Sequence, residues 1–430
     1  MIAVTRSWPT FVLIWAGQFV SALGSGLTAF ALDVWVFQRT GSITQFALAT
    51  LFFVLPRVLI APLAGVVVDR WNRRTVMLLS DSTAAVCTLM ILLFLWIDQL
   101  AVWHVYLCNV VISISSAFQR PAWSAAIGSL IPADELSRAN GLRQLSRSVV
   151  SLLAPALAGF LIGQIGLRGI AFIDLITFCV AVLTLLSVRL PTVKADHTPK
   201  PTGWTAEGLE GWRYLRQNRG WSGLMLMYCF TSFFGVTTEV LLGPYILTTA
   251  SSVELGWVVS ATGAGMLAGG AVLSLWRTTH RLVSRILIFE LMVSIITLLV
   301  GLAVSIPTLI GLMFIYFVFI ALSDGNSEIF WQRSALPQFQ GRIFSMRDMI
   351  ASAALPLGLL IVAPLAEFVL EPAMRGQGVW VDVLGPIIGV GAGRGIALVF
   401  MLAGFFNMIV VSVFALRLPV KAMDTTSGLY

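Results

Sequence analysis

The segment Gly65–Arg74, GVVVDRWNRR, places four charged residues where one long apolar stretch ends and the next begins. The two stretches, residues 44–68 and 75–97, are each close to the ~20 residues that a helix needs to cross the hydrocarbon core of a membrane. A short charged turn between two such stretches predicts a helical hairpin that turns at a membrane surface. The solvent of this part of the chain is therefore lipid rather than water.

The same alternation of apolar stretch and polar turn continues along the chain. Of its 430 residues, 58% are apolar and 11% are charged, whereas soluble domains have about 45–50% and about 25%. Lipid admits only helices and closed barrels, and the period-two alternation of a barrel strand is absent. The sequence predicts an all-α polytopic membrane protein with twelve transmembrane helices. The twelve stretches lie near residues 10–36, 44–68, 75–97, 102–131, 144–166, 169–188, 221–248, 255–276, 283–305, 308–331, 343–366 and 395–417.

The net charge of +7 comes from basic residues that lie mainly on one side of the predicted membrane. If both termini are cytoplasmic, 22 of the 27 Lys and Arg residues face the cytoplasm, which is the asymmetry that orients helical membrane proteins. The basic composition therefore indicates orientation, and no nucleic-acid partner is expected. We predict a multi-pass protein of the bacterial cytoplasmic (inner) membrane with both termini in the cytoplasm.

The longest polar interruption, residues 189–220, divides the chain into two halves of six apolar stretches. It begins with several prolines and ends in a charged segment, residues 207–219, that has the pattern of an amphipathic surface helix. We predict an N-terminal six-helix bundle (residues 1–188), this cytoplasmic linker, and a C-terminal six-helix bundle with a short tail (residues 221–430).

The two halves share short patterns at a nearly constant offset. Gly65 begins Gly-x-x-x-Asp-Arg-Trp, and 205 residues later Gly270 begins Gly-x-x-x-Ser-Leu-Trp. Pro132 and Pro337 are separated by the same 205 residues, and each precedes a polar turn that contains an arginine. These offsets indicate duplication in parallel orientation, and hence two pseudo-symmetric bundles.

Three segments resemble one known family. Gly65–Arg74 resembles the loop signature of the major facilitator superfamily, Gly-x-x-x-Asp-Arg-x-Gly-Arg-Lys/Arg, with Asn72 in place of the second glycine. Residues 154–159, APALAG, resemble the antiporter motif of the family's fifth helix, with alanine replacing two glycines. Residues 340–345, QGRIFS, followed by Pro356, are similar to the macrolide-efflux and enterobactin-exporter branch.

This resemblance implies the major-facilitator fold and a secondary active transporter that works by alternating access. The branch implies proton-coupled export of a hydrophobic or amphiphilic small molecule, such as a drug, a macrolide-like compound, a peptide natural product or a siderophore. The proton gradient would supply the energy without a cofactor, and a monomer in the lipid bilayer is expected. Uptake by a permease of the same family is one alternative. A non-transporting membrane receptor or a lipid scramblase is the alternative of another class.

The resemblance assigns a gating role to the loop signature, which begins at Gly65. There Asp69 can accept hydrogen bonds from a helix N-terminus, while Arg70, Arg73 and Arg74 can meet helix C-terminal carbonyls and anionic lipid. Such a cluster can lock a cytoplasmic gate. The alternative is that the arginines only set the topology.

The fifth-helix motif has two residues with a physical effect on helix packing. Pro155 removes a backbone donor, and Gly159 allows another helix to approach closely. We expect this part of the helix to bend and to seal against a neighbour.

Two carboxylates inside predicted spans are candidates for proton coupling. A charge near the bilayer centre costs at least ~2.5 kcal/mol, so such a residue should face a cavity or a partner. Asp33 and Glu239 are 206 residues apart, close to the repeat offset, which places them at pseudo-symmetric positions on the first helix of each half. A carboxylate pair of this kind can exchange a proton for a cationic substrate. The alternative for Asp33 is simple solvation among the lipid headgroups.

Two arginines are further candidates. Arg57 precedes Asp69 by twelve residues, which places it ~18 Å into the membrane. It can neutralise Asp33, bind an acidic group of the substrate, or form a purely structural ion pair. Arg120 resembles the buried arginine of the family's fourth-helix motif, although Pro121 follows it and the expected glycine is missing.

The remaining chemical residues are expected to have structural roles. Acidic residues nearer the helix ends should pair with loop arginines; these are Asp81, Asp174, Glu290, Asp324 and Glu328. The four cysteines lack the spacing of metal ligands, so no metal site is expected. The chain has no His-Glu-x-x-His, Gly-x-Ser-x-Gly or phosphate-loop motif, so no enzymatic activity is expected.

Overall fold

The computed structural model describes most of the chain, and the regular structure in that part is helical. The described residues are 8–132, 135–188, 219–275, 281–303, 305–334, 337–375, 379–420 and 423–424. The predicted linker, residues 189–220, and its amphipathic helix lie almost wholly outside these ranges.

The first five helices contain six membrane spans. They are α1 (Trp8–Thr40), α2 (Ile43–Arg70), α3 (Arg73–Trp96), α4 (Val102–Leu130) and α5 (Leu136–Leu186). With 51 residues, α5 is ~76 Å long, more than twice the ~30 Å of a hydrocarbon core. Gly166 interrupts it at φ 64° and ψ −178°, a backbone conformation that in practice only glycine adopts. Two spans therefore meet at Gly166.

The second half of the described chain contains the remaining helices. They are α6 (Arg219–Leu247), α7 (Ser252–Leu275), α8 (Leu282–Leu302), α9 (Ile306–Ser334), α10 (Pro337–Leu365), α11 (Glu371–Arg375), α12 (Val379–Ile388) and α13 (Arg394–Arg417). A π-helical segment, Ala366–Leu370, joins α10 to α11 without a break. Eleven of the described helices are long and apolar enough to cross a membrane. Because α5 holds two spans, the predicted all-helical architecture with twelve spans is confirmed.

The chain forms two compact units. One comprises Met1–Pro199 with Ser252–Ser260, and the other comprises Lys200–Ser251 with Ala261–Tyr430. The first nine residues of α7 thus belong to the first unit. The predicted boundaries of the two bundles remain a prediction.

In the first unit, glycines bring α1 very close to the second half of α5. A Cβ atom at Gly17 would lie 2.2 Å from Thr184 Oγ1, and one at Gly24 would lie 2.1 Å from Thr177 Oγ1. Small residues allow such backbone approach in membrane helices. The approach also places Asp174 of α5 directly beside α1, only 3.0 Å from the Cβ position at Gly24.

In the second unit, a buried carboxylate caps the last long helix. Glu371 is 5% exposed and accepts hydrogen bonds from the backbone N–H groups of Gly393, Gly395 and Ile396. Arg375 donates two more hydrogen bonds to the same carboxylate. The N-terminal N–H groups of α13 would otherwise lack partners, and the helix dipole favours a negative charge at this end.

Candidate functional site

A cavity of about 370 Å³ lies inside the first unit, among helices α1 to α5. Three carboxylates line it, from Asp33 on α1, Asp81 on α3 and Asp174 on α5. The described lining contains no Lys or Arg. The cavity therefore concentrates negative charge, or the protons that neutralise it, within the membrane.

Asp81 is held by two glutamines from other helices. Its side chain is 3% exposed. Gln18 of α1 donates from Nε2 to Oδ2 over 2.8 Å, and Gln119 of α4 donates from Nε2 to Oδ1. Gln119 Nε2 also donates to Gln18 Oε1 over 3.0 Å. Three helices thus meet at one carboxylate through neutral donors.

Asp174 is held by hydroxyl groups. It is 1% exposed, and it accepts hydrogen bonds from Ser25 of α1 over 3.3 Å and from Thr88 of α3 over 3.1 Å.

Asp33 is half-buried and lies seven residues before the end of α1, or ~10 Å along the helix. The structure therefore places this predicted coupling residue on the cavity wall.

A second cavity, of about 220 Å³, lies inside the second unit. It too is lined by three carboxylates, from Glu239 on α6, Glu290 on α8 and Asp324 on α9, and by no described Lys or Arg. Glu239 is exposed, whereas Glu290 is 9% exposed and accepts a hydrogen bond from Ser323 over 2.6 Å. The second predicted coupling residue thus also faces a cavity.

The two sets of cavity residues correspond through the sequence repeat. Asp33 and Glu239 are 206 residues apart, Asp81 and Glu290 are 209 apart, and Gln119 and Asp324 are 205 apart. These three pairs lie on the first, third and fourth helices of each half. Both halves therefore carry an acidic cavity built from equivalent positions.

The expectation that the other acidic residues pair with loop arginines is wrong for Asp81, Asp174 and Glu290. Their partners are amide and hydroxyl groups on neighbouring helices. Asp324 lines the second cavity, and Glu328 accepts a hydrogen bond from Gln332 one helical turn away. The prediction used only the closeness of these residues to helix ends. Their side chains point into the bundle, where they contact neighbouring helices.

The described residues show no salt bridge between Arg57 and Asp33, the first of the three alternatives for Arg57. Arg57 is half-buried, its backbone N–H donates to Ser113 Oγ over 2.9 Å, and its guanidinium lies 5.8 Å from the centre of the Phe53 ring. Arg120 is exposed and lies within electrostatic range of Arg57. Arg143 and Arg147 of α5 belong to the same group of positive charges. The proposed roles of Arg57 and Arg120 in coupling or substrate binding stay predictions.

The loop signature is described only in part. Arg74 donates to the carbonyls of Leu185 over 3.0 Å and Leu186 over 2.7 Å, at the C-terminal end of α5. Asn72 caps α3 by accepting from the backbone N–H of Arg74, at φ −65°, so this position does not need glycine. Arg73 is half-buried. The side chains of Asp69 and Arg70 lie outside the described part. The gating role of Gly65, Asp69 and Arg70 remains a prediction.

The fifth-helix motif lies against the start of α7 in the first unit. A Cβ atom at Gly159 would lie 2.5 Å from the Ser252 carbonyl oxygen, and one at Gly256 would lie 2.5 Å from the Pro155 carbonyl oxygen. The two backbones approach each other through this pair of glycines. The structure therefore places Pro155 and Gly159 at a close helix contact.

Comparison with known proteins identifies relatives over most of the chain. The family described as Major Facilitator Superfamily matches residues 14–371. Macrolide efflux protein A of Streptococcus pyogenes is 28% identical over 369 residues, which cover 83% of this chain and 89% of that protein. Multidrug efflux pump Tap of Mycobacterium tuberculosis is 25% identical, over 84% of this chain and 87% of that protein. Among solved structures, a bacterial homolog of the human lysosomal transporter Spinster superposes with a TM-score of 0.68 at 15% identity, covering 98% of this chain and 99% of that one.

Proposed function

Because this chain belongs to the major facilitator superfamily, we propose that it exports a hydrophobic or amphiphilic small molecule from a bacterial cell in exchange for protons. The observation that carries the proposal is the pair of membrane-embedded cavities, each lined by three carboxylates and by no described basic residue. Alternating access to such cavities is the mechanism that the fold supports.

The chemistry of the cavities suits an exchange of positive charge. A carboxylate in the membrane is stable when it binds a proton, a cationic group or a set of hydrogen-bond donors. A proton that arrives from one side can therefore release a cationic group that the same carboxylate has bound. Asp33 and Glu239 are the candidates for this exchange.

The direction of transport is proposed from the relatives. Proteins named for macrolide efflux and multidrug efflux match more than four-fifths of this chain, which favours export over uptake. The same relatives favour a bacterial cytoplasmic membrane. We further propose a monomer with cytoplasmic termini, without a cofactor or an enzymatic activity.

Transport in inverted membrane vesicles tests the proposed function. Radiolabelled erythromycin and the cationic dye ethidium serve as probes, and the vesicle interior is made acidic. We expect at least one probe to accumulate, and a protonophore to abolish the accumulation. Accumulation of neither probe, or accumulation that survives the protonophore, would contradict proton-coupled export. Uptake in right-side-out vesicles alone would support the permease alternative.

A substitution separates coupling from binding. Glu239→Gln keeps the shape and the hydrogen-bonding capacity but cannot ionise, so we expect exchange of the probe to survive and uphill accumulation to be lost. Asp98→Asn is the matched control, because Asp98 is exposed and forms a salt bridge with Arg168 away from both cavities. Wild-type dependence on the pH gradient in Glu239→Gln would show that this carboxylate is not a required proton carrier.

A further inference from the structure

Gln18, Asp81 and Gln119 form a closed ring of three hydrogen bonds that joins α1, α3 and α4. Each oxygen of Asp81 accepts from one glutamine, and the two glutamines are joined by the bond from Gln119 Nε2 to Gln18 Oε1. The two partners lie 63 and 38 residues from Asp81 in the sequence. The ring is therefore a tertiary feature of the first unit.

The donors and acceptors of the ring match an ionised Asp81. An ionised carboxylate can only accept hydrogen bonds, and a glutamine amide has two donor hydrogens and one acceptor oxygen. Gln119 uses both hydrogens, one toward Asp81 and one toward Gln18, while Gln18 uses one hydrogen toward Asp81. If Asp81 takes a proton, the carboxyl group loses its negative charge and gains an O–H donor. The two bonds from the glutamines then lose their charge assistance and weaken.

The part of the cavity lining that the structure describes holds no Lys or Arg beside the ring that would keep Asp81 ionised. In the described cavity lining, the other titratable groups are Asp33 on α1 and Asp174 on α5, and α2 and α4 contribute none. The exposed Arg120 follows Gln119 in the sequence but does not line the cavity.

The three carboxylates lie at different depths in one continuous cavity. Asp81 is eight residues from the start of α3, or ~12 Å along the helix from the predicted cytoplasmic turn. Asp174 is twelve residues from the end of α5, or ~18 Å from the same side. Asp33 lies near the opposite end of α1. The cavity thus carries a series of proton acceptors from one side of the membrane toward the other.

We propose that Asp81 is a proton-carrying group of the transport cycle and that its ring passes the protonation state from α3 to α1 and α4. An O–H bond forms on a carboxylate oxygen when a proton arrives, and the proton later leaves to water in the cavity. The part of this inference that concerns export rests on the proposed function, whereas proton binding by Asp81 does not.

The second unit cannot hold an equivalent ring. By the repeat offsets, Leu224 stands in place of Gln18 and Asp324 in place of Gln119. A leucine side chain cannot donate a hydrogen bond, and an ionised aspartate repels a second carboxylate. The proposed device therefore belongs to the first unit.

Infrared difference spectroscopy tests proton binding without a substrate. The purified full chain in nanodiscs is compared at neutral and acidic pH, and protonated carboxyl groups appear as separate bands. We expect Asp81→Asn to lose one buried carboxyl band that Asp174→Asn retains. An unchanged set of bands in Asp81→Asn, or loss of the same band only in Asp174→Asn, would overturn the assignment.

The vesicle transport assay tests whether the ring passes the protonation state of Asp81 from α3 to α1 and α4. In the vesicle assay with erythromycin and ethidium, Asp81→Asn and Gln119→Leu should both lose uphill accumulation but keep exchange of the probe. Gln119→Leu should also keep the carboxyl band, because it removes the relay and not the proton acceptor. Gln164→Leu, at an exposed position of α5, is the matched control and should behave as the wild type. Uphill accumulation at the wild-type level in either ring variant would overturn the relay.

The infrared assay and the transport assay test different parts of the proposal, so a negative result in one leaves the other decisive. If the wild type exports neither probe, the proposed function fails while the infrared comparison still decides whether Asp81 binds a proton. If Asp81→Asn does not fold, Gln119→Leu still decides the relay.

Discussion

Glu371→Ala removes a carboxylate that accepts five hydrogen bonds at once, three from backbone N–H groups at the start of α13 and two from Arg375. Each buried donor left without a partner costs about 1–3 kcal/mol. The pair with Arg375 adds little, because the arginine side chain is 56% exposed and such pairs contribute about 0–1 kcal/mol. Water can reach part of the vacated site from that exposed side. Three donors at that cost give about 3–9 kcal/mol, and the access of water reduces the expected loss to roughly 3–5 kcal/mol.

Thermal unfolding in detergent, followed by tryptophan fluorescence, measures this loss. For a domain of about 200 residues, 1 kcal/mol corresponds to about 2–4 °C, so the apparent Tm should fall by roughly 6–20 °C. Asp382→Ala is the control, because Asp382 is an exposed acidic residue of the neighbouring α12, and surface changes usually stay within about 0.5 kcal/mol. An equal apparent Tm for Glu371→Ala and Asp382→Ala would refute the reasoning. Protein that remains folded should keep its response to the proton gradient, because Glu371 lines neither cavity.

Three further predictions concern the packing and the gate. Arg74→Ala should lower stability by about 1–2 kcal/mol in the same melting assay, because two charge-assisted bonds to the end of α5 are lost at a partly exposed site; an unchanged Tm would contradict this. Gly159→Ala should cost about 1–3 kcal/mol and slow transport, because its Cβ atom would overlap the Ser252 carbonyl oxygen, whereas Gly163→Ala, where nothing lies within 4 Å, should be neutral. Asp69→Asn should insert normally but transport more slowly, and wild-type kinetics at matched protein amounts would argue against the gate assignment.

The architecture was predictable from the sequence because each span is set by local composition. Apolar stretches of about 20 residues and one-sided basic loops determine where helices cross and how they are oriented. The break at Gly166 also falls at the predicted end of the fifth stretch, near 144–166. These signals need no knowledge of which helices are neighbours.

The site was predictable only where the repeat supplied a second signal. The offset of 206 residues led to Asp33 and Glu239, which the structure places on two cavity walls. A nearly equal offset of 205 residues relates Gln119 to Asp324, and it could have drawn attention to the fourth helix. Gln18 has no such counterpart, since position 224 is leucine. A glutamine in a span gives no sign of its partner when that partner lies 63 residues away.

The membrane carboxylates are difficult to explain by stability alone. Each ionised carboxylate near the bilayer centre costs at least ~2.5 kcal/mol, and two hydrogen bonds to the charge, at about 1.5–3 kcal/mol each, offset a cost of that size without making a carboxylate the most stable choice at the position. Replacing buried charged groups by well-packed apolar residues is often neutral or stabilising. Glu371 shows the arrangement that serves the fold, a carboxylate held by a helix N-terminus and an arginine. Asp81 and Asp174 have neither partner and border an open cavity, so their position is better explained by a group that must gain and lose charge during transport.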